Sequence, residues 1–250
     1  MTPAMTYVRE GVRETGVAAN QRRPASTQAT PVAHPALAPS NPQRLLNVVV
    51  AGLGLLLALP LLLLIALAIK LTSRGPVLYS QTRVGLDRRL RRQFGDNHRR
   101  ADDLGGRPFT IFKFRTMQVD SGNGPGAVWA AREDPRVTLV GRFLRQYRLD
   151  EIPQLLNVLR GEMNIVGPRP EQPGIVRDLR DQVDQYPARH RALPGITGLA
   201  QINHHYDSCL DDVRTKVSYD LEYIRTQGPW EDLKIMAKTI PVMLFRRGGW

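Results

Sequence analysis

Val48 to Ile69 reads VVVAGLGLLLALPLLLLIALAI and carries no charged residue. At the helical rise a straight helix of this length reaches roughly 33 Å, enough to cross the hydrocarbon core of a bilayer. Pro60 sits in the middle of the run, where its missing N–H and its ring break or kink a helix. Both flanks are basic, with Arg9, Arg13, Arg22, Arg23 and Arg44 before the run and Lys70, Arg74, Arg83 and Arg88 after it. The bias of positive charge toward the cytoplasm therefore applies to both ends. A helix over residues 44–73 that enters the membrane, bends at Pro60 and returns satisfies both observations. A kinked single crossing is the other reading.

Residues 1–43 are rich in Ala, Pro, Thr and Gln without periodicity, which predicts a disordered cytoplasmic tail. The apolar run starts too late for a secretory signal and lacks a small-residue cleavage site. The 250 residues leave room for one domain with a core, and the net charge of +12 suits nucleic acid, anionic lipid or phosphorylated substrates. Lysine occurs only at Lys70, Lys113, Lys216, Lys234 and Lys238; the rest of the base is arginine, the better bidentate phosphate ligand. Cys209 is the only cysteine, so no intrachain disulfide forms and a reducing compartment is implied. The scattered histidines argue against a zinc site.

On the C-terminal side, residues 74–250 read as one domain. Val77 to Arg83 (VLYSQTR) and Phe109 to Phe114 (FTIFKF) have strand composition and are expected to pair. Between them, residues 85–107 hold seven arginines and four aspartates with no alternating aromatic platform. That predicts an exposed insertion, solvated or facing the membrane, and no nucleic-acid surface. Arg142 to Tyr147 is expected to be helical. Asp150 fits the N-cap of the next helix, with Pro153 in its first turn, Leu155, Leu156 and Leu159 as its apolar face and Gly161 at its end. Val213, Val217, Leu221 and Ile224 share one face of an amphipathic helix; Leu233, Met236, Ile240, Met243 and Leu244 share one face of another. Trp230, Phe245, Arg246, Arg247 and Trp250 suit a membrane interface; helices that only cover the core are the other reading. The expected fold class is α/β, mostly helical with a small β-hairpin.

The chemistry concentrates in Arg145 to Glu151 (RQYRLDE), Gly161 to Met163 (GEM) and Val166 to Pro170 (VGPRP). An Asp-Glu pair alone is most simply a helix cap. Here Arg145 and Arg148 precede it, and Arg169 follows in a loop stiffened by Pro168 and Pro170. Carboxylates, guanidinium groups and a helix N-terminus together suit a diphosphate and a hard cation such as Mg²⁺. One carboxylate can then attack phosphorus while cations neutralise the developing charge. A non-enzymatic reading, a membrane-anchored basic scaffold, explains the charge and the anchor but not this arrangement.

From Arg44 onward the chain resembles the bacterial sugar transferases, monotopic polyprenyl-phosphate phosphoglycosyl transferases. The resemblance rests on ordered motifs: Gly75-Pro76-Val77, Gln81 with Arg83-Val84-Gly85, KFRTM at Lys113 to Met117, Asp134-Pro135-Arg136-Val137-Thr138 and GRFL at Gly141 to Leu144. It continues through LDEIPQLLN at Leu149 to Asn157, GEMNIVGPRP at Gly161 to Pro170, PGITGLAQIN at Pro194 to Asn203, and Leu233-Lys234-Ile235 after a Trp. It implies a re-entrant membrane helix and a cytoplasmic domain seated on interfacial helices at the bacterial inner membrane. It implies Asp150 as nucleophile and Glu151 as the acid linked to Mg²⁺, with Asp150 beside the metal. Arg145 and Arg169 match phosphate-binding arginines, and Lys113 and Arg115 lie on a substrate-binding strand. The implied substrates are a UDP-sugar and undecaprenyl phosphate, in contact with membrane lipids. The chain departs from the family at Asn47, where an acidic residue is frequent, and at Leu59, where serine usually precedes the proline. The sugar, the glycan pathway and the oligomeric state stay open.

Overall fold

Helix α1 (Asn41–Thr72) begins before residue 44, because Ser40 caps it. The Ser40 hydroxyl accepts the Gln43 N–H, and Pro42 sits in the first turn, where no N–H partner is needed. The computed structural model describes residues 39–87, 104–118, 134–204 and 209–245. The tail call, apart from its last residues, falls outside these, as do residues 88–103 of the insertion and Arg246, Arg247 and Trp250.

α1 stays helical through Pro60, so of the two expected effects, a break or a kink, the break is absent. A proline inside a helix costs about 3 kcal/mol; the leucine-rich flanks and the packing of both helix ends outweigh it. At the N-terminal end Gln43, Asn47 and Ala51 are buried. Gln43 Nε2 donates to Asp232 Oδ2 at 2.8 Å, and Asn47 Oδ1 accepts the Ile165 N–H at 2.5 Å. Arg44 donates to the Val158 and Leu159 carbonyls at 2.7 and 2.8 Å. At the other end Ile65 and Ile69 pack with Phe114 and Leu144. Between these anchors Leu53, Leu56, Leu57, Leu63 and Leu64 lie more than half exposed. Exposed leucines at about 1.5–3 kcal/mol each are costly in water as a cluster; this helix is long and apolar enough to cross a membrane and is consistent with membrane association.

Strands β1 (Leu78–Val84) and β2 (Pro108–Phe114) pair antiparallel, Leu78 opposite Phe114 and Val84 opposite Pro108. The described ends of the intervening segment are packed and hydrogen-bonded: Gly85 N–H donates to Arg107 O, and Asp87 N–H to His190 O. Helix α2 (Leu139–Gln146) is capped by Thr138. A 3-10 turn, Leu149–Gln154, leads into α3 (Leu155–Leu159). Asp150 is therefore inside the 3-10 turn and is not an N-cap; the preceding Arg148 occupies the left-handed region at φ 53° and reverses the chain. Gly161, at φ 73°, ends α3 as expected. The face of α3 differs from expectation. Asn157 and Val158 are buried while Leu156 and Leu159 are exposed, because Asn157 bonds across to β2, its Nδ2 donating to Thr110 O at 2.7 Å.

The sequence expectation stops at the hairpin, but a second, parallel pair exists: β3 (Asn164–Val166) and β4 (Gly195–Thr197). Helices α4 (Pro173–Leu179) and α5 (Leu199–Asn203), with a 3-10 turn at Tyr186–Arg191, complete this part. In α6 (Leu210–Thr226), Val213, Val217 and Ile224 are buried as the spacing predicts. α7 (Pro229–Phe245) keeps most of its apolar stripe exposed. Asp232 and Ile235 are buried, while Trp230, Leu233, Ile240 and Met243 are exposed. The buried polar anchor at Asp232 fixes that orientation. Among the described residues the fold is mostly helical with two small two-stranded sheets.

Candidate active site

The Leu149–Gln154 turn lies against β2 and faces the loop that follows β3. Two glycines make the approaches possible. A Cβ on Gly141 would stand 2.0 Å from Thr116 O, so only glycine lets α2 dock there. A Cβ on Gly167 would stand 2.3 Å from Leu193 O, so glycine lets the chain leave β3 beside β4. The Pro168 carbonyl then accepts the Gly195 N–H at 2.9 Å. Pro168 and Pro170 are buried, and Arg169 projects between them toward the turn.

Glu151 is the electrostatic centre. Its Oε1 lies 2.7 Å from Lys113 Nζ and 2.6 Å from Arg169 Nη2, and its Oε2 lies 3.8 Å from Arg148 Nη1. Burial pushes the Glu151 carboxyl up, but Arg169 and Lys113 outweigh it and hold the group well below its ordinary value. Glu151 in turn holds the Arg169 guanidinium firmly protonated. Asp150 behaves oppositely. It is 8 % exposed, and burial, then its neighbour Glu151, push its carboxyl above the ordinary value. Among the described residues its carboxylate has no hydrogen-bond partner. The turn thus presents one locked carboxylate and one uncommitted carboxylate, under a rim of cations.

The structure brings Asp150, Glu151, Lys113 and Arg169 together. Arg145 stands on the same side, its Nε donating to Thr116 Oγ1 at 2.9 Å, and its charge reaches Asp150. Arg115 does not join them. It is buried, and its guanidinium donates to Ser73 O and Ser73 Oγ at 2.9 and 2.8 Å and to the Arg74 carbonyl. Its visible work is to hold the C-terminal end of α1.

Asp150 and Glu151 are the residues that could hold a metal. Among the described residues no group of three His, Cys, Asp or Glu side chains converges. An uncommitted carboxylate beside a locked one therefore suits a hard cation shared with substrate oxygens, as magnesium typically is, and not a closed protein cage.

Sequence reasoning counted Arg148 among the guanidinium groups flanking the pair but not among the phosphate-binding residues, and missed a buried network behind the loop formed by Arg83, Glu171, Arg189, Lys216 and Asp220. Burial pushes Glu171 up, yet Lys216 and Arg189 bring it down to about 2. Arg83 belongs to a motif shared with the family, so a role there was detectable; the others carry no signal beyond their charge.

The family model for bacterial sugar transferases matches residues 40–246. An undecaprenyl-phosphate glucose phosphotransferase of Komagataeibacter xylinus is 45 % identical over 206 residues, covering 80 % of this chain and 35 % of that protein. A UDP-glucose:undecaprenyl-phosphate glucose-1-phosphate transferase of Caulobacter vibrioides is 44 % identical over 204 residues, covering 81 % of this chain and 69 % of that protein. The exopolysaccharide production protein ExoY of Rhizobium meliloti is 36 % identical over 224 residues, covering 83 % of this chain and 88 % of that protein. The chain thus spans about a third of the first relative and most of the last. With the matched region reaching from the start of α1 almost to the end of α7, this chain belongs to the bacterial sugar transferase family.

Proposed function

We propose that this protein transfers a sugar 1-phosphate from a UDP-sugar to undecaprenyl phosphate and releases UMP, at the cytoplasmic face of the bacterial inner membrane. The observation that carries the proposal is the pair of unlike carboxylates: Asp150 uncommitted, Glu151 locked by Lys113, Arg148 and Arg169. A diphosphate brings its charge to that cationic rim, which leaves Asp150 placed for in-line attack.

In the first step an Asp150 carboxylate oxygen bonds to the phosphorus that bears the sugar. The bond from that phosphorus to the bridging oxygen breaks, and UMP leaves with the electron pair. In the second, a phosphate oxygen of undecaprenyl phosphate bonds to the same phosphorus, and the Asp150–phosphorus bond breaks. The products are an undecaprenyl diphosphate sugar and the regenerated carboxylate. Arg169 and Lys113 supply charge-assisted donors to the phosphoryl oxygens, and Arg145 stands beside them. Mg²⁺, held by Asp150 and Glu151, would supply further neutralisation of phosphate charge.

The membrane geometry suits a lipid-borne acceptor. Both ends of α1 pack on the same domain, and the stretch between the buried residues Ala51 and Ile65 is Gly52–Leu64, 13 residues long. A helix of that length spans about 20 Å, less than the roughly 30 Å of hydrocarbon it would have to cross. Together with the basic flanks, this favours a helix that dips into one leaflet and keeps both ends cytoplasmic.

The test is protein in detergent with Mg²⁺, undecaprenyl phosphate and a panel of UDP-sugars, with UMP as the readout. UDP-glucose comes first, since two of the relatives carry glucose in their names. UMP release with one sugar is expected. Release with none sinks the proposal and returns the membrane scaffold.

A further inference from the structure

Behind the Arg169 loop lies a buried ion network that touches neither carboxylate of the catalytic turn. Arg189 is 1 % exposed and Asp220 2 %. Arg189 Nη2 lies 2.8 Å from Asp220 Oδ2 and donates to the main-chain carbonyl of Arg169 at 2.9 Å. Arg189 Nη1 donates to the Tyr186 hydroxyl at 3.2 Å and stands 3.8 Å from Glu171 Oε1. The next residues are held as well. Arg83 Nη1 donates to the Pro170 carbonyl at 3.2 Å, Lys216 Nζ lies 2.6 Å from Glu171 Oε1, and the Val84 N–H donates to the Glu171 carbonyl at 2.9 Å.

Three consecutive residues, 169 to 171, are thus tied from behind, and prolines on either side of Arg169 restrict the remaining backbone freedom. What the network leaves free is the Arg169 side chain, which meets Glu151. Burying an arginine and an aspartate carries a large desolvation cost, and the fold spends it at the carbonyl of the one loop residue that reaches the site.

Resting on the reaction proposed above, we propose that Arg189 and Asp220 are positioning residues: they hold the Arg169 backbone so that its guanidinium stays registered on Glu151 and the substrate phosphates. They act through Arg169 and touch no reacting atom.

The experiment is a double-mutant cycle with Asp220→Asn, alone and in an Arg169→Ala background, with Arg189→Lys as a second probe that keeps the charge but loses the fork. Asp220→Asn is expected to lower kcat by about 10- to 100-fold, as small misplacements of catalytic groups do, with KM for the UDP-sugar changed much less. In the Arg169→Ala background it should cost almost nothing more. Equal losses in both backgrounds, or full activity of Asp220→Asn, overturn the proposal. Hydrogen exchange over residues 167–172 is read on the same proteins and needs no turnover. Faster exchange confined to this loop in Asp220→Asn is expected; unchanged loop exchange overturns the positioning role even if Arg189→Lys does not fold. Wild-type protein that releases no UMP rejects the reaction itself, and the exchange result still decides the positioning role.

Discussion

Arg169 Nη2 lies 2.6 Å from Glu151 Oε1, joining residues 18 apart in sequence. The contact binds the proline-braced loop to the 3-10 turn. Arg169→Ala should therefore lower kcat/KM by roughly 2–4 kcal/mol, the usual loss for a removed electrostatic donor. Arg169→Lys should recover only part of it, because lysine lacks the planar fork. UMP release kinetics decide; full activity in Arg169→Ala would reduce the loop to a structural role.

Asp150 and Glu151 are neighbours with opposite expected mutational signatures. Asp150→Asn removes a carboxylate that burial disfavours, so thermal stability should hold or rise while turnover disappears, a carboxamide being too poor a nucleophile. Glu151→Gln leaves Lys113 and Arg169 without their counter-charge. It should lose activity and also about 3 kcal/mol of stability. Melting curves and UMP assays on both variants test the contrast, and residual near-normal turnover in Asp150→Asn would end the covalent assignment.

The hairpin, the Val213–Ile224 face and the Gly161 stop were legible because each follows a local rule of period or turn chemistry. The Asp-Glu pair and the proline-flanked Arg169 were legible as chemistry. The β3–β4 pair was not: Asn164–Val166 and Gly195–Thr197 are three residues each, too short for any periodicity. The network behind the loop was hidden for a different reason. Arg189 and Asp220 are polar residues in ordinary sequence contexts, and only tertiary packing reveals that they are buried and paired. The apolar stripe of α7 was legible as a helix face, but the side it turns outward was not, because that is set by Asp232, a polar residue tied inward through Gln43 and Tyr223.

Asn47 illustrates the same point inside the membrane helix. Its Oδ1 accepts the buried Ile165 N–H, and its Nδ2 donates to the Gln43 carbonyl at 2.8 Å. Asn47→Leu makes α1 more apolar, yet it orphans a buried donor and should destabilise the protein by about 1–3 kcal/mol. Thermal unfolding in detergent measures this. A stabilised Leu variant would place that turn of α1 in lipid and not in the core.

Glu171 should give the fold an acid limit. Its folded value, about 2, lies below the ordinary 4.5. A depressed acid contributes stability above its unfolded value and loses it as pH falls through the folded one. The advantage of wild type over Glu171→Gln should therefore be full above about pH 4.5 and shrink toward pH 2, by on the order of 3 kcal/mol. Denaturation midpoints of both proteins across that range check it; a pH-independent difference would mean that Lys216 and Arg189 do not stabilise the charged form.

The placement of α1 makes the strongest topological demand. Gln43, Arg44 and Asn47 bond into the domain at one end, and Ile65 and Ile69 pack on it at the other. On the proposed topology the side chains that bond the Asp232 carboxylate and the Val158 carbonyl lie on the domain's side of the membrane, and residue 26 is expected on that side too. A single cysteine at position 26, made by Ser26→Cys in a Cys209→Ser background, reports this directly, since Cys209 is the one free and exposed thiol. In cells with a permeabilised outer membrane, an impermeant maleimide should leave position 26 unlabelled until lysis. Pro60→Leu leaves these end contacts unchanged, so position 26 should stay protected in that variant too. Labelling of the Pro60-containing protein before lysis would put the tail across the bilayer, and the packing of both helix ends on one domain could not then hold.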